Sequence, residues 1–401
     1  MPLQTLPCRA FQRGFALGAR FLPWRTPSVL SGAGSLLKLP DVFSREGASR
    51  PLVVASRRQC ADERFLALRA ALEGRGIRPS VFSGVEPDPS VATVEKLAAQ
   101  YRADGCDSFL VLGGGSPIDA AKVAAARVVR PDKTVAQLGG LLKVRRPLPL
   151  FIAVPTTAGT GSEATIAAVV TGEEHRKYAV SDLCLIPRYA VLDPTLTLSL
   201  PPAVTAQTGM DALTHAVEAY LSLYYNTRET RALAESAVRD IFRYLPVACR
   251  DGQSLTARER MLRASFDAGC AFTRASVGNV HAIAHTLGGL YNTAHGLANA
   301  VILPIVLEDY GAAAEEKLAR LAEITGTKTI GTAHEKSAAF IAEIRAMNSR
   351  MGIPEHLDVI CEKDIPQMVA WALREANPTY PVPVLYDEAH CAEVIRRVRG
   401  E

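Results

Sequence analysis

The chain has 401 residues, of which 48% are hydrophobic and 21% are charged, a composition typical of a globular protein with a large buried core and about two domains. The formal net charge is only +4 and no dense run of lysine and arginine is present, so we expect neither nucleic acid nor a membrane surface as a partner and favour small-molecule chemistry. The eight cysteines contain no Cys-x-x-Cys pair, which argues against a thiolate metal site or a disulfide framework and indicates reduced thiols in a cytoplasmic protein.

The first forty residues carry basic side chains and no acidic one, a bias that transit peptides share. Pro2, Pro7 and Pro23 are expected to interrupt a long helix, and the serine content of a transit peptide is missing. We therefore interpret residues 1–20 as a short extension of a cytoplasmic protein, with organelle targeting as the alternative. No stretch approaches the roughly 20 uninterrupted apolar residues that a membrane-spanning helix needs.

Apolar runs alternate with helical stretches in the first half of the chain. The predicted strands and the helices that follow them are Leu52–Ala55 and a helix near 60–75, Val81–Phe82 and a helix near 90–103, and Phe109–Leu112 and a helix from Pro117. This alternation is typical of parallel strands with crossover helices, whose carboxyl ends open toward a ligand. The first half therefore predicts a nucleotide-binding domain.

A glycine-rich turn, GGGSPID, follows the third predicted strand. Ser116 suits the N-cap of the next helix, and Pro117 suits its first position. Without Cβ atoms, Gly113, Gly114 and Gly115 would let the backbone approach a pyrophosphate, which the helix N-terminus attracts. The turn is not the G-x-G-x-x-G fingerprint, so a tight turn without a ligand explains this segment about equally well.

A second loop, PTTAGTGSEAT over Pro155–Thr165, follows another apolar strand. Its small residues and hydroxyls would offer close backbone approach and hydrogen bonds to a ribose, a phosphate or a carboxamide. A plain connector is the alternative, but two such loops after two strands make it less attractive. The surrounding region is β-rich, with Gly172 as a turn candidate and predicted strands at Phe151–Val154, Thr165–Thr171, Tyr178–Val180 and Tyr189–Leu192.

Helical periodicity dominates after residue 200. The predicted helices are Val204–Leu223, Arg228–Tyr244, Ala257–Ala271, His281–Leu290, a segment after Gly296, and Ala313–Ile324. We predict an α/β domain over residues 1–200, including the extension 1–20, and a helical domain over residues 201–401. The boundary is expected within several residues of position 200.

Five candidate metal ligands lie in this helical half. Asp211 and His215 are four residues apart, which puts both side chains on one helix face, and His281 and His285 repeat the spacing before His295. A carboxylate with imidazoles suits Fe²⁺ or Zn²⁺ better than Ca²⁺ or Mg²⁺, which prefer oxygen ligands. Spacing alone leaves open which four residues bind, and it also allows two separate hydrogen-bonded pairs.

These motifs together resemble the iron-containing, or group III, alcohol dehydrogenases. The resemblance runs from about Phe21 to Asn377 and Pro378, and four motifs in the order of that family carry it. They are Gly113–Asp119, Pro155–Glu163, Gly209–His215 and His281–Gly296.

The resemblance implies an α/β N-terminal dinucleotide-binding domain and an all-α C-terminal metal-binding domain, a dehydroquinate synthase-like architecture with the catalytic metal in the cleft between them. The implied metal ligands are Asp211, His215, His281 and His295, and His285 takes the position of a non-ligand histidine near the nicotinamide, suited to proton relay. The positions matching the family's cofactor contacts are Gly114, Gly115, Ser116 and Asp119 at the pyrophosphate turn, with Thr156, Thr157, Thr160, Thr165 and Lys177 beyond it.

One position departs from the family pattern. Where many relatives have an aspartate that binds the adenosine ribose, this chain has Ser56, followed by Arg57 and Arg58. An acid would repel a 2′-phosphate, whereas a serine removes the repulsion and an arginine could pair with the phosphate. Either NAD or NADP is therefore the expected cofactor, since both arginines could instead point to solvent.

We expect a metal-dependent, NAD(P)-linked alcohol dehydrogenase or aldehyde reductase that uses Fe²⁺, or alternatively Zn²⁺, and acts on a small alcohol or carbonyl compound. The resemblance also implies a homodimer or a higher homo-oligomer. One alternative is a lyase like dehydroquinate synthase, or a glycerol-type dehydrogenase. The other is a dinucleotide- and metal-binding protein without turnover.

Overall fold

A computed structural model of the chain describes residues 5–172 and 177–401, and side chains from Leu6 onward. It contains two compact units. The sheet unit is Pro23–Ser199, and the helical unit combines Leu200–Glu401 with Met1–Leu22. Residues 5–22 therefore group with the helical unit, whereas the sequence analysis predicted the extension 1–20 as part of the α/β domain.

The N-terminal segment forms a helix of 15 residues, α1 (Thr5–Ala19), where prolines were expected to interrupt a long one. Pro7 lies in the first turn of α1, where a backbone N–H has no partner within the helix, so its missing N–H costs little there. Pro23 lies beyond the last residue of the helix. Proline therefore limits the length of α1 without preventing it.

The sheet unit alternates strands with helices as predicted. Its strands are β1 (Ser28–Ser31), β2 (Pro51–Val54), β3 (Ser80–Phe82), β4 (Ser108–Gly113), β5 (Gly140–Leu141), β6 (Leu150–Pro155), β7 (Ala167–Thr171), β8 (Lys177–Ser181) and β9 (Tyr189–Leu192). Its helices are α2 (Leu39–Glu46), α3 (Arg57–Cys60), α4 (Glu63–Glu73), α5 (Val91–Ala103), α6 (Gly115–Val129) and α7 (Val135–Leu138).

Six strands form a parallel sheet in the order β1-β9-β6-β4-β2-β3. Leu52 and Val54 pack into the core on one face of the sheet, and Val53 packs into the core on the other. Both faces are therefore covered, as parallel sheets require. Because β4 and β6 are neighbours with Gly113 opposite Pro155, the two predicted loops leave the sheet side by side.

A small second sheet has the order β5-β8-β7, in which β8 runs antiparallel to β7 and parallel to β5. It accounts for the β-rich region that the sequence predicted. Strand β7 begins at Ala167 and not at Thr165, because Ser162–Ala164 forms a turn of 3₁₀ helix first. Gly172, the predicted turn candidate, follows β7, and residues 173–176 after it lie outside the described residues.

The helical unit contains all six helices predicted after residue 200 and three more near the C-terminus. They are α8 (Pro202–Leu221), α9 (Arg228–Arg250), α10 (Leu255–Ala275), α11 (Asn279–Tyr291), α12 (His295–Tyr310), α13 (Glu315–Thr325), α14 (Ala333–Arg350), α15 (Ile365–Ala376) and α16 (Glu388–Arg399). Helix α8 is buried along most of its length and packs against α9, α10 and α12. It is the central helix of this unit.

The segment His295–Ala313 is long and apolar enough to cross a membrane by length and composition alone. Most of it is buried inside the helical unit, and a buried core helix of a water-soluble protein meets the same criterion. Its first residue is moreover one of the candidate metal ligands.

Candidate functional site

The two loops that follow β4 and β6 pack tightly against each other. The amide of Thr156 donates to the carbonyl of Gly113 at 2.9 Å. A Cβ atom on Gly114 would lie 3.1 Å from Thr157 Oγ1, and one on Gly115 would lie 2.9 Å from Thr160 Cγ2. These glycines therefore allow the close approach of the second loop, a reason that the sequence did not supply.

Helix α6 begins earlier than the sequence predicted. Its N-cap is Gly114 and its first residue is Gly115. Ser116 therefore lies inside the helix and is not its N-cap. Pro117 lies in the first turn but not at the first position. The Ser116 hydroxyl instead accepts a hydrogen bond from the amide of Asp88 at 3.3 Å. The amides of the first turn of this 15-residue helix lie beside the glycine turn, an arrangement that attracts anions.

Asp119 and Thr165 are held in a buried network around Lys122. The Asp119 carboxylate accepts from Ser162 Oγ at 2.6 Å and from the amide of Val169 at 2.8 Å. Lys122 Nζ donates to Thr165 Oγ1 at 3.0 Å and to the carbonyls of Ser162, Thr165 and Ala167. Asp119 and Thr165, both predicted cofactor contacts, therefore take part in buried hydrogen bonds that hold the second loop.

Lys122 is completely buried, and the sequence reasoning missed it. Burial lowers the pKa of its ammonium group to about 8, while the carboxylates of Asp119 and Glu163 oppose that shift. The sequence spacing could have indicated Lys122, because Asp119 and Lys122 are three residues apart and lie on one helix face.

The remaining predicted cofactor positions lie around the same loops. Thr156, Thr157 and Thr160 are half-buried in the second loop, and Thr156 Oγ1 accepts from Gln59 Nε2 at 3.1 Å. Lys177, at the start of β8, forms an ion pair of 2.7 Å with Asp88.

Ser56 is the exposed N-cap of α3. Its hydroxyl accepts from the amide of Gln59 at 3.2 Å, and its own amide donates to Gln59 Oε1 at 2.7 Å, so the two residues form a capping box. Arg57 and Arg58 follow it and are exposed. Serine here is thus a helix cap beside two accessible guanidinium groups.

In the helical unit, four predicted ligands converge from three helices. Helix α8 presents Asp211 and His215 one turn apart, α11 presents His281, and His295 is the first residue of α12. Asp211 Oδ1 lies 3.5 Å from His295 Nε2, 3.9 Å from His281 Nε2 and 4.0 Å from His215 Nδ1. One ligand atom from each residue lies within 4.8 Å of all the others.

The donor set fits a tetrahedral transition-metal ion. Metal–ligand bonds of 2.0–2.2 Å place neighbouring ligand atoms about 3.4 Å apart, close to the separations from Asp211 Oδ1. Asp211, His215 and His281 are buried, whereas His295 is partly exposed, so one side of the cluster is accessible. The chemistry of one carboxylate and three imidazoles suits Fe²⁺ or Zn²⁺.

Gly296 determines how closely α12 approaches α8. A Cβ atom at this position would lie 2.3 Å from the backbone oxygen of Gln207, which is shorter than any real contact. Only glycine therefore lets the first turn of α12 pack directly on α8, and this packing brings His295 next to Asp211.

Two residues that the sequence reasoning did not select contact the ligands. Glu218 Oε2 lies 2.5 Å from His281 Nδ1, and Asn299 Nδ2 donates to Asp211 Oδ1 at 2.7 Å. A carboxylate on the ring nitrogen that faces away from the ion, as Glu218 is for His281, fixes ligand orientation and raises metal affinity. Asn299 Nδ2 instead lies among the converging atoms, 3.2 Å from His281 Nε2 and 3.1 Å from His295 Nε2. Both had a signal, because Glu218 is two helical turns after Asp211 and Asn299 is one turn after His295.

The charge state of His281 suits a ligand. Burial, and after it the neighbouring histidines, lower the pKa of His281 well below its usual value, so the ring is neutral. Burial raises the pKa of Glu218 to about 8, against backbone hydrogen bonds that lower it. If an ion bound at Nε2, the ring proton would be on Nδ1, which faces Glu218 Oε2.

His285 lies beside the cluster, one turn after His281 on α11. Its ring stacks on His295 with centroids 5.1 Å apart, and its Nδ1 lies 2.7 Å from Glu375 Oε1. The Tyr380 hydroxyl donates to the same oxygen at 2.8 Å. Burial, and then the charge of Glu375, raise the pKa of Tyr380 well above its usual value, so its hydroxyl stays protonated and remains a donor.

Glu375 and Tyr380 were also missed from the sequence, and no local pattern could have found them. They lie about ninety residues after His285, and only the packing of α15 against α11 brings them together. Since a carboxylate only accepts hydrogen bonds, Nδ1 of His285 carries a proton and Nε2 is the basic nitrogen of the neutral ring.

Two family models match the chain. The model described as "Iron-containing alcohol dehydrogenase" matches residues 26–194, and the model described as "Fe-containing alcohol dehydrogenase family, C-terminal" matches residues 205–398. Together they cover nearly all of the sheet unit and the helical unit after residue 200. Helix α1 precedes both matched segments.

Curated relatives are similar over most of their length. A 1,3-propanediol dehydrogenase of Klebsiella pneumoniae is 41% identical over 331 residues, covering 81% of this chain and 84% of the relative. A NAD-dependent methanol dehydrogenase of Bacillus methanolicus is 33% identical over 337 residues, covering 83% of this chain and 87% of the relative. The crystal structure of a 1,3-propanediol oxidoreductase matches with a TM-score of 0.89 and 35% identity, over 94% of this chain and 100% of that one.

Proposed function

Because the chain belongs to the iron-containing alcohol dehydrogenase family and is a metal-dependent, NAD-linked alcohol oxidoreductase, we propose that it interconverts an uncharged short-chain diol and the corresponding hydroxyaldehyde. The convergence of Asp211, His215, His281 and His295 on one point, with His285 beside it, is the observation that supports this most directly. The relatives named for 1,3-propanediol suggest the length of the substrate.

We assign the four converging residues as the ligands of an Fe²⁺ ion, or of Zn²⁺ where that metal is more available. When bound there, the ion supplies Lewis acidity to the oxygen of the alcohol or carbonyl group. Glu218, at Nδ1 of His281, keeps the Nε2 of that ring oriented toward the ion position. The partly exposed side of the cluster, at His295, is where a substrate oxygen would approach.

We assign proton transfer to His285. Its hydrogen bond to Glu375 fixes the ring, and the Tyr380 hydroxyl braces the same carboxylate. The fixed ring presents one basic nitrogen beside the metal ligands, which suits the exchange of the alcohol proton with solvent. Glu375 also balances the positive charge that the ring gains when it takes up a proton.

The surroundings of the ligands favour an uncharged substrate. The ring of Phe272 stacks on His215 with centroids 4.2 Å apart, and Asn299 and Glu218 contact the other ligands. A phosphorylated or carboxylated substrate, as a dehydroquinate synthase-like lyase uses, would need cationic partners, and none of these three side chains is cationic. A diol with no formal charge fits these surroundings of the ligands better.

The test is an anaerobic assay of the purified protein loaded with Fe²⁺ or with Zn²⁺. We expect NADH-dependent reduction of 3-hydroxypropanal and the reverse oxidation of 1,3-propanediol, both lost after chelation and restored by metal. Glycerol, propanal, and a triose phosphate complete the panel, and we expect kcat/KM for the triose phosphate to be at least about tenfold lower, because its charge has no partner. Preference for the phosphorylated substrate, or for glycerol over the diol, would contradict the substrate proposal while leaving the family assignment intact.

We propose that the cofactor site accepts NADPH as well as NADH, because Ser56 puts no negative charge beside Arg57 and Arg58. Ser56→Asp keeps a good helix N-cap and adds the missing acid. We expect kcat/KM for NADPH to fall by about tenfold or more, through repulsion of the 2′-phosphate, with little change for NADH. Initial rates with each cofactor measure this ratio.

Ser254→Asp is the matched control, because Ser254 is the N-cap of α10 in the helical unit. We expect it to leave the ratio of NADPH to NADH use unchanged. A wild-type enzyme that ignores NADPH, or an unchanged ratio in Ser56→Asp, would show that both arginines lie away from the cofactor phosphate.

We also propose a cytoplasmic enzyme that assembles as a homodimer or a higher homo-oligomer. All eight cysteines lie in the described residues and none is in a disulfide, which suits a reducing compartment. The assembly follows from the family resemblance, and light scattering of the purified protein would measure it. Cell fractionation would test the location.

A further inference from the structure

The segment Pro378–Val384, here called the proline segment, is held by donors from outside it at every carbonyl oxygen, while its Tyr380 amide donates to the carbonyl of Ala376 at 2.7 Å. Three of its seven residues are proline and have no N–H, so it cannot form a strand ladder of its own. Each of its carbonyl oxygens nevertheless accepts a hydrogen bond. The donors, in order from 378 to 384, are Gln12 Nε2, Tyr225 Oη, Gln12 Nε2, the Leu223 amide, Arg9 Nη1, Arg9 Nη2 and Asn279 Nδ2.

Four of these seven hydrogen bonds come from two residues of α1. Gln12 is completely buried and donates at 3.0 Å to Pro378 and at 2.8 Å to Tyr380. Arg9 donates at 2.8 Å to Val382 and orients the Gln12 amide through its oxygen at 3.0 Å. A buried amide without hydrogen-bond partners costs folding free energy. Both the oxygen and the nitrogen of the buried Gln12 amide have partners, so this contact avoids that cost.

Hydrophobic burial does not explain why α1 packs on the helical unit. Leu6, Phe11 and Leu17 of α1 are 57%, 47% and 58% exposed. Phe15 is the exception, and its ring packs against Tyr225, 5.1 Å between centroids. Tyr225 in turn donates to the carbonyl of Thr379 at 3.0 Å, so this contact also ends at the proline segment.

The proline segment leads directly to His285. Tyr380, at its centre, donates from its hydroxyl to Glu375, and Glu375 accepts from His285 Nδ1. Gln12 thus fixes the backbone of the residue whose side chain braces the histidine. Arg9 and Gln12 precede residue 26, where the first family model begins to match, so the family match does not supply this contact.

We propose that α1 is a positioning element for the reaction: through Arg9 and Gln12 it fixes the proline segment, so that Tyr380 and Glu375 hold the ring of His285 in one orientation and one tautomer. This role rests on the proposed function of His285. Arg9 and Gln12 touch no substrate, metal or reacting atom and act only through Tyr380. Loss of the brace changes the rate of the chemical step and not the binding of metal or cofactor.

The test compares Gln12→Ala, Arg9→Gln, Tyr380→Phe and the double variant Gln12→Ala/Tyr380→Phe in the full-length, metal-loaded protein. We expect each single variant at Gln12 or Tyr380 to lower kcat by about tenfold, because a misplaced catalytic group costs rate, with wild-type metal content and cofactor KM. Arg9→Gln changes the donors to Val382 and Pro383 and not the bond to Tyr380, so it should have a smaller effect in the same direction. The double variant should also lose about tenfold, because both changes break one chain of contacts.

Leu17→Ala, on the exposed side of α1, is the matched control and should keep wild-type kcat. Hydrogen exchange of residues 378–384, which needs no turnover, should be faster in Gln12→Ala and unchanged in Leu17→Ala. Wild-type kcat in both Gln12→Ala and Arg9→Gln, a double variant that loses about 100-fold, or unchanged exchange would overturn the inference. If the loaded wild-type protein oxidised no alcohol, the proposed function would fail, and exchange would still decide whether α1 holds the proline segment.

Discussion

We expect His281→Ala to lose bound metal and turnover together. His281 is buried, with its Nδ1 against Glu218 and its Nε2 3.9 Å from Asp211 Oδ1, so the substitution removes one of the four converging ligand atoms. The remaining three ligand residues would bind an ion much more weakly, and loss of Lewis-acid stabilisation worth several kcal/mol should lower kcat by roughly 1000-fold or more. Metal analysis after gel filtration and NADH oxidation assays on the same sample measure both quantities.

His334→Ala is the control for that experiment, because His334 is 81% exposed on α14 of the same unit. It should keep both metal and activity. Glu218→Gln offers a graded comparison: the amide keeps the shape of the side chain but weakens the contact to His281 Nδ1, and metal affinity should fall by about 10- to 100-fold. A His281→Ala protein with stoichiometric metal and wild-type rates would refute the ligand assignment.

The second large effect is expected at His285. His285→Ala should keep its metal and lower kcat by about 100-fold at neutral pH, because the proposed proton path loses its basic nitrogen while the four ligands remain. KM for the cofactor should change little. Steady-state kinetics across pH, with metal content of the same preparation, make the measurement.

His285→Asn provides the matched variant, since its amide can still donate to Glu375 but cannot carry a proton. We expect it to be as slow as His285→Ala. Added imidazole should restore part of the activity of His285→Ala, where the removed ring leaves space, and not that of His285→Asn. Rates equal to wild type at every pH in both variants would remove His285 from the reaction.

Sequence periodicity could predict the parts of the site that lie within one helix. Asp211 and His215 on α8, and His281 with its neighbour His285 on α11, follow from a spacing of four residues. Their convergence could not follow from spacing, because it depends on the close packing of α12 on α8 at Gly296. Only the family resemblance separated His285 from the ligands before the geometry was available.

The start of α6 shows why helix ends were harder to predict. Serine is a better N-cap than glycine by local preference, and the sequence therefore favoured Ser116. The structure places the cap at Gly114, where the chain has just left the sheet and Gly113 still accepts from Thr156 of the neighbouring loop. As an N-cap, serine is more stable than glycine by only a few tenths of a kcal/mol. A contact between distant segments thus outweighed this small local preference.

The ligands on α8, α11 and α12 have a consequence for stability. An ion bound by residues from three helices ties them together in the folded chain and has no comparable site in the unfolded one. Folding free energy then depends on metal concentration, by about 2.7 kcal/mol when free metal exceeds its dissociation constant a hundredfold. The melting temperature of a given preparation would therefore record how much metal it has kept, and chelators would weaken the fold as well as stop the reaction.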